Sequence, residues 1–298
     1  MTLGHKAFRS VRKNLSFYVV TCFLTLVAVT MLIGALTTAE TIGDTCEEIY
    51  GNLSVEDAQF VTEGIITEED FLRYETDFDL MLERQNYTDI TMGDNTVRLF
   101  KESSKVNLSW IFETKDGESE DVAPSSASDG YVYICKKYGS FNDLGIGDGI
   151  ILGNETLTVG GYALRPDYLN TLKDLTEAIG DYSRFTIALV NDDTYEAVLN
   201  SDPSLTDNAY YSVVFHDGNK INTFRKTLYG DYRPIEYFNS DMNSRISMLR
   251  GEVIMLKKEF SSYSMILFVL VMIIVAFMLS RIIDGESVNI GTLNALGY

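Results

Sequence analysis

The sequence has few of the residues that build metal sites, disulfide frameworks and catalytic centres. Among its 298 residues there are two histidines, three cysteines, four prolines and one tryptophan. It contains no HExxH motif, no paired Cys/His ligand spacing, no G-x-x-x-x-G-K-[ST] loop and no GxSxG motif. These absences argue against a zinc centre, a P-loop nucleotide site and a serine-hydrolase site. We therefore expect a protein that is not an enzyme, with no catalytic, metal or cofactor-binding residues.

Cysteine and basic residues are also scarce, and each shortage excludes some classes of protein. Three cysteines in a chain of this length exclude a small disulfide framework, and a bridge between Cys46 and Cys135 is possible but not required by their spacing. Lysine and arginine total 24 against 43 acidic residues, so the formal net charge is −19. Because binding to a phosphate backbone needs clustered positive charge, we expect no nucleic-acid partner.

Long apolar runs, in contrast, are present, and there are two of them. Residues 17–36 form an uncharged run of 20 residues, and residues 264–280 form a second run that extends to residues 263–283. About 20 apolar residues in a helix cross a bilayer. The first run could instead be a secretory signal, but its length and the poor cleavage site "TTAE" argue against that. We predict two membrane spans, at 17–36 and 263–283, in a multi-pass cell-membrane protein.

The charges that flank the runs predict the orientation of the chain. Residues 1–16, expected to form an interfacial helix, carry four bases and no acid, which favours a cytoplasmic N-terminus; the bases are Lys6, Arg9, Arg12 and Lys13. Two crossings return the C-terminal end to the cytoplasm. Residues 37–262 then lie outside, with 19 bases, 41 acids and a net charge of about −22. Such a charge keeps a soluble surface away from anionic lipid.

Heptad-like stripes follow the first run and precede the second. Their apolar residues recur at alternating steps of three and four, the spacing of a and d positions. One stripe leaves the first run and the other leads into the second, so we predict an antiparallel stalk formed by residues 37–56 and 242–262. Two amphipathic helices lying on a domain core are the alternative. The stripe residues are Ile42, Cys46, Ile49 and Leu53, followed by Ile246, Leu249, Val253, Leu256 and Phe260.

Between the stalk segments, residues 57–241 predict a mixed α/β domain, so the fold class is α+β with two transmembrane helices. Strand-like and helix-like segments alternate along it. We predict a helix over 67–85 with Thr67 as its N-cap, and a buried strand over 130–139. A hairpin around the "GN" at residues 153–154, a helix over 167–180 and a strand–helix pair over 184–200 complete the domain. Asp192 and Asp193 fit helix N-terminal charges better than a catalytic dyad.

Three stretches, in this order, resemble a known family. They are "AFRSVRKNLSFYVVT" at the first run, "FNDLGIGDGIILGNETLTVGGY" in the middle of the chain and "RIIDGESVNIGTLNALGY" after the second run. The chain resembles an FtsX/MacB-type ABC transporter permease over nearly its whole length. The resemblance implies an external domain like the periplasmic core of MacB, carried on a helical stalk. It also implies that a separate ATPase subunit hydrolyses ATP and drives export or a mechanical output.

The resemblance further implies a cytoplasmic coupling helix at residues 284–298 that docks on the ATPase subunit. A second permease copy or a paralogue, and membrane lipid, are the other expected partners. Asn289 stands where the family commonly has Glu, and Asn294 where it often has a basic residue, so docking is expected to be apolar. Members of the family have further spans after this motif, so we expect the chain to be a fragment of a longer permease. The matching coupling residues are Ile290, Gly291, Leu293, Leu296 and Gly297.

Other classes of protein fit the two-span layout as well. The alternative function is a two-span membrane sensor with an external ligand-binding domain, which should continue after its second span into a signalling helix or an enzyme domain. A membrane-tethered external enzyme and a passive adhesion domain are weaker alternatives, the former because no catalytic constellation occurs. The sequence does not identify a transported substrate.

Overall fold

The computed structural model describes Arg12 and residues 15–295, except residues 120 and 178. The chain divides into two compact units, each described separately below. We call Met1–Gly43 with Glu252–Tyr298 the helical unit, and Asp44–Gly251 the sheet unit.

Six α-helices and eleven strands lie in the described part of the chain. The helices are α1 (Leu15–Asn52), α2 (Glu68–Phe78), α3 (Lys136–Phe141), α4 (Asp192–Ser201), α5 (Ile221–Asp231) and α6 (Ser244–Ala295). The first six strands are β1 (Ala58–Val61), β2 (Leu80–Met92), β3 (Asn95–Lys101), β4 (Trp110–Thr114), β5 (Gly117–Glu118) and β6 (Tyr131–Ile134). The other five are β7 (Gly149–Leu152), β8 (Glu155–Leu164), β9 (Phe185–Val190), β10 (Asn208–Phe215) and β11 (Glu236–Asn239). Short 3-10 turns lie at Pro166–Tyr168, Gly218–Lys220 and Ser240–Met242.

Two helices are long and apolar enough to cross a membrane. They are the stretches Tyr18–Asn52 of α1 and Ser244–Arg281 of α6, whose most apolar windows have mean hydropathies of 2.5 and 2.7. Large side chains on them face outward: Phe23 is 63% exposed and Phe277 is 73% exposed. Because so continuous an apolar surface is unstable in water, the helical unit is suited to association with a membrane.

The two helices contact each other within the helical unit. The Thr21 hydroxyl donates a hydrogen bond to the Met278 sulfur at 3.3 Å. Near the unit's other end, a Cβ added at Gly43 would lie 3.3 Å from a methyl group of Val253 and 3.4 Å from the Lys257 amine. Glycine therefore allows a close approach of α1 and α6 at this level.

The sheet unit is built on one mixed sheet. Its strands follow the order β11-β1-β10-β2-β3-β9-β6-β8-β4-β5, and β7 pairs with β8. The β3–β9 and β6–β8 pairs are parallel and the other pairs are antiparallel. The predicted combination of a mixed α/β domain with two long apolar helices is therefore confirmed at this level of detail.

Helices cover parts of the sheet with apolar side chains. Tyr74 of α2 and Phe224 of α5 pack with Phe60 of β1 in one buried cluster. Tyr195 of α4 and Tyr138 of α3 belong to a second cluster with the inward side chains of β3, β6, β7, β8 and β9. Each side chain of this size contributes about 1.5–3 kcal/mol when fully buried, so these clusters stabilise most of the unit.

Several local predictions are confirmed. Thr67 caps α2, because its hydroxyl accepts a hydrogen bond from the Asp70 backbone N–H. The "GN" turn joins β7 to β8, with Gly153 at a φ of +62°. Strand β9 leads into α4, whose first turn carries Asp192 and Asp193.

Three predicted elements were wrong. The helix expected over 67–85 ends at Phe78, because Asp79 takes a left-handed conformation (φ 51°) and residues 80–92 pair with β10 and β3 as a strand. The strand expected over 130–139 ends at Ile134 and gives way to α3. The helix expected over 167–180 is a 3-10 turn followed by irregular chain, in which a Cβ at Gly180 would lie 2.4 Å from the Thr171 carbonyl oxygen.

The bridge that the sequence allowed between Cys46 and Cys135 is not formed. Both cysteines are free, Cys46 being buried and Cys135 half-buried. The two side chains belong to different elements of the sheet unit, α1 and the N-cap of α3.

Candidate functional site

The candidate site is a buried polar network where α1 ends and α6 begins, inside the sheet unit. We call it the junction and define it by Glu56, Asn107, Arg165, Asp167, Ser212, Asn243 and Arg245. Each of these side chains is at most 7% exposed, and four of them are ionisable: Glu56, Arg165, Asp167 and Arg245. A buried polar group is stable only when hydrogen bonds replace its lost water, so the partners of each group define the site.

Glu56 is the centre of the junction. It follows the end of α1 by four residues and is 1% exposed. Its Oε2 accepts from the Ser212 hydroxyl at 2.5 Å and from the Asn107 amide at 2.9 Å. Its Oε1 accepts from the Asn243 amide at 3.2 Å. One carboxylate therefore links the end of α1 to strand β10 and to the residue immediately before α6.

The turn that carries Glu56 is held in place by backbone hydrogen bonds. The backbone N–H groups of Asn107 and Leu108 donate to the Ser54 and Leu53 carbonyl groups, at 2.9 and 2.8 Å. The Glu56 N–H donates to the Asn107 side-chain oxygen at 3.0 Å, which completes a reciprocal pair between these two residues. Ser54 has a φ of +49°, the left-handed conformation that reverses the chain after the helix. Local backbone geometry thus places the carboxylate without further support.

A buried ion pair lies beside Glu56. Arg165 is fully buried, and its guanidinium donates to both Asp167 carboxylate oxygens, at 2.9 and 3.0 Å. The Tyr210 hydroxyl donates to the same carboxylate at 2.7 Å, and the guanidinium also donates to the Gln85 side-chain oxygen at 3.2 Å. The guanidinium lies over the Phe100 ring at 3.9 Å. Such a bidentate, fully bonded pair fixes geometry rather than adding much net stability.

Burial and charge shift the protonation of these groups. Burial, and then the nearby Asp167 charge, raise the pKa of Glu56 to about 7, although the hydrogen bonds from Ser212 and Asn107 lower it. Burial and the Asp167 charge also raise the pKa of Tyr210 well above its ordinary value, so this phenol stays a donor. Burial opposes the charge on Arg165, but the Asp167 carboxylate outweighs it and raises the pKa of the guanidinium. The central carboxylate is thus the one group here that titrates near neutral pH.

Arg245 attaches the first turn of α6 to the irregular segment after β8. Its guanidinium donates to the Leu172 carbonyl at 2.9 Å and to the Lys173 carbonyl at 2.6 Å. The Asn170 N–H donates back to the Arg245 carbonyl at 3.1 Å, and the guanidinium lies 4.4 Å from the Tyr168 ring centroid. In a helix over 167–180 these carbonyl groups would accept hydrogen bonds from backbone N–H groups of the same helix. Their use as acceptors for Arg245 is one reason why this segment stays irregular.

Contacts between α1 and α6 within the sheet unit complete the junction region. The buried Tyr50 hydroxyl donates to the Ile246 carbonyl at 2.8 Å. The Arg250 guanidinium lies 4.4 Å from the Tyr50 ring centroid. The Asn52 amide donates to the Val122 carbonyl at 2.9 Å, which ties the last residue of α1 to the loop after β5. Side-chain hydrogen bonds of this kind hold both helix ends to the sheet unit.

The predicted stalk residues all lie on the less exposed side of their helices. Cys46, Ile49, Leu53, Ile246 and Val253 are buried, and Ile42, Leu249, Leu256 and Phe260 are half-buried. The residues between them, such as Glu47, Glu48 and Lys258, are exposed. A stalk remains a prediction, because burial of a stripe fits equally well with helices that pack on a domain core.

The predicted coupling residues lie at or beyond the end of the described chain. Ile290, Gly291 and Leu293 belong to α6, which continues to Ala295 without a break after the second apolar run. Leu296 and Gly297 lie outside the described residues. Gly291 is exposed, with nothing within 4 Å of an added Cβ.

Sequence patterns hardly indicate the junction, because its members are spread from residue 56 to residue 245. Glu56, Asn107 and Asn243 lie in turns, where polar residues are ordinary and carry no signal. Arg165 and Asp167 offered the best clue, since a base and an acid flank Pro166 at the end of an alternating strand. Their burial could not be inferred without knowing that Tyr210 and Gln85 cover them.

The junction is suited to holding elements together. Glu56 and Asp167 each accept three hydrogen bonds from other parts of the protein. Within residues 15–295, as far as they are described, no group of three or more His, Cys, Asp or Glu side chains could hold a metal ion. Comparison with protein-family models and with curated proteins finds no match to this chain.

Proposed function

We propose that this chain is a permease subunit of an ABC transporter of the FtsX/MacB type. In this account the two apolar helices cross the cell membrane, the sheet unit lies outside the cytoplasm and both termini lie inside it. A separate ATPase subunit binds the end of α6. ATP-driven movement of that subunit passes through α1 and α6 to the sheet unit, for export or for mechanical work on an external partner.

One observation carries the proposal. Each long helix runs unbroken from an apolar run that is long enough for a membrane to the hydrogen-bonded junction in the sheet unit. The amide of Asn243, the residue before α6, donates to Glu56, and Glu56 also accepts from the Ser212 hydroxyl of the sheet. We propose that these continuous hydrogen-bonded helices pass a displacement at one end to the other. The order of the three family-like stretches supports the same assignment.

Other parts of the account follow from the resemblance. A second permease copy or a paralogue would complete the membrane assembly, with lipid around the exposed apolar side chains. The stalk would be formed by residues 37–56 and 242–262. The external domain would serve as a core of the MacB periplasmic type, and residues 284–298 as the coupling helix.

The experiment that tests the proposal is affinity purification of the full chain from detergent-solubilised membranes of its own host. We expect an ATPase subunit to be recovered in a fixed ratio to the chain, as judged by quantitative mass spectrometry. The double variant Leu293→Asp with Leu296→Asp should lower this recovery at least about tenfold, because two carboxylates would lose hydration in an apolar contact.

A matched control separates docking from added charge. Ser287→Asp with Thr292→Asp places the same two charges in the same part of the chain, outside the apolar set, and should leave the recovery within about twofold of the parent. Equal recovery with both double variants would exclude the proposed docking role of residues 290–297. Absence of any ATPase subunit from the parent preparation would exclude the permease itself and favour the two-span sensor.

A further inference from the structure

A small cavity in the sheet unit has the composition of a ligand site. Its volume is about 210 Å³, and its lining comes from β4, the start of α3, the end of β8, the segment after β8 and strand β9. Its lining includes the aromatic or aliphatic residues Phe112, Tyr168, Leu169, Tyr182 and Ile187. Ligand sites of drug-like compounds usually exceed about 300 Å³, so this cavity suits one ring with a short chain.

Two lysines are the exposed members of the cavity lining. They are Lys136 and Lys137, and the other lining residues are buried or half-buried. Lys136 already pairs with Glu113, at 2.5 Å. The Lys137 amine lies 4.4 Å from the centroid of the Tyr182 ring, and no carboxylate among the described residues pairs with it.

The cavity borders the junction. Arg165 of the junction lines it, and so does Tyr168, whose ring centroid lies 4.4 Å from the Arg245 guanidinium. The Tyr168 hydroxyl also accepts from Arg98 at 2.7 Å, which fixes the ring. A ligand in contact with Tyr168 and Leu169 therefore touches the segment that holds the first turn of α6.

We propose that this cavity binds a small amphipathic anion, a carboxylate with one aromatic ring or a short alkyl body. The apolar body lies among Phe112, Tyr182 and Ile187, and the carboxylate pairs with Lys137. Desolvated apolar contact supplies most of the affinity, and the ammonium selects the anion over neutral or cationic analogues. Binding at this site stabilises the segment that Arg245 joins to α6. The site itself does not depend on the proposed transport function, because its test involves no ATPase.

The test is isothermal titration of the purified full chain in detergent with 3-phenylpropionate, corrected for detergent alone. We expect saturable one-site binding with a dissociation constant of roughly 0.1–1 mM, as befits a ligand of this size. The matched probes 3-phenylpropanol and 3-phenylpropylamine should bind roughly tenfold more weakly or not at all, since neither supplies an anion to Lys137. The single tryptophan, Trp110, lies 5.6 Å from Phe112 between ring centroids and offers a second readout by fluorescence.

Two lysine variants locate the binding. Lys137→Gln should weaken binding of 3-phenylpropionate roughly tenfold without changing that of the alcohol, whereas Lys226→Gln, on the distant helix α5, should change neither. Both positions are exposed, so both variants are expected to fold. Leu169→Trp should abolish binding by filling the cavity.

Three results would overturn the proposal. They are non-saturable heats with all three probes, equal binding of acid, alcohol and amine, and unchanged acid binding by Lys137→Gln. Should Leu169→Trp fail to fold, the comparison of the three probes on the parent chain decides the matter alone.

Discussion

Glu56 is the residue on which the junction converges, and its protonation is the most sensitive property of the site. Three donors face its two oxygens, which suits the ionised form, yet complete burial opposes that form. Burial prevails, and the pKa rises to about 7. Near neutral pH the carboxyl is therefore divided between its protonated and its ionised state. Ser212 can serve both states, because a hydroxyl both donates and accepts.

The raised pKa of Glu56 gives the stability of the chain a defined dependence on pH. An acid whose pKa is higher in the folded than in the unfolded state contributes stability that is fully present below the unfolded value and is lost as pH rises through the folded value. The window for Glu56 runs from its ordinary 4.5 to about 7, and the loss over it amounts to at most about 3 kcal/mol. We expect the parent chain to lose stability from pH 5 to pH 8 in thermal unfolding followed by circular dichroism.

The variant Glu56→Gln isolates this effect. It should be more stable than the parent at pH 8 and should show a flatter profile. The stability of the variant will still fall somewhat with pH, because burial also raises the pKa of Asp57, which accepts from the Phe215 N–H. The exposed Glu63→Gln serves as the control and should follow the parent at every pH. A parent whose stability rises across pH 5 to 8, or a Glu56→Gln profile as steep as the parent's, would contradict the assignment.

At the scale of elements, the buried side chain of Arg245 attaches the first turn of α6 to the segment after β8. Arg245 is 7% exposed and donates to two carbonyl groups of the segment after β8. Arg245→Leu leaves these buried carbonyl groups without the guanidinium donors and should lower the free energy of unfolding by about 2 kcal/mol or more. In a unit of this size that lowers the melting temperature by roughly 4–8 °C.

Arg250→Leu is the matched control for Arg245→Leu, five residues further along the same helix. The Arg250 guanidinium lies over the Tyr50 ring, but Arg250 is exposed. The variant should therefore lower the free energy of unfolding by under about 1 kcal/mol. Thermal unfolding of the two variants in the same detergent provides the comparison. Equal shifts in melting temperature would show that Arg245 does not attach α6 to the segment after β8.

Some elements could be predicted from the sequence because their signals are local. Thr67 lies three residues before Asp70 and caps α2, and the glycine of the "GN" turn takes the positive φ that a tight hairpin requires. The apolar runs are equally local, since length and hydropathy alone identify a helix that can cross a membrane.

Other elements depend on partners that are distant in sequence. Leu82 continues the helical spacing of Phe71, Tyr74 and Phe78, which is why the spacing predicts a helix to residue 85. Leu80 and Leu82 also alternate, however, and their segment pairs with β10 as a strand. Leu169, Leu172 and Leu175 recur every three residues, yet Arg245 from α6 takes the carbonyl groups that a helix would need. The junction shows the same limitation, since Glu56, Asn107, Ser212 and Asn243 meet only after the whole sheet unit has folded.

For the whole molecule, the account predicts that ATP turnover at one end of the helices alters the junction at the other. The most direct measurement is hydrogen–deuterium exchange of the purified chain with the proposed ATPase subunit, compared between ADP and ATP with vanadate. Deuterium uptake should change in peptides that cover residues 49–57 and 240–248, while the interior strands β2 and β3 stay the same. Changes confined to the helical unit in a complex that hydrolyses ATP would contradict the claim that movement is passed to the sheet unit.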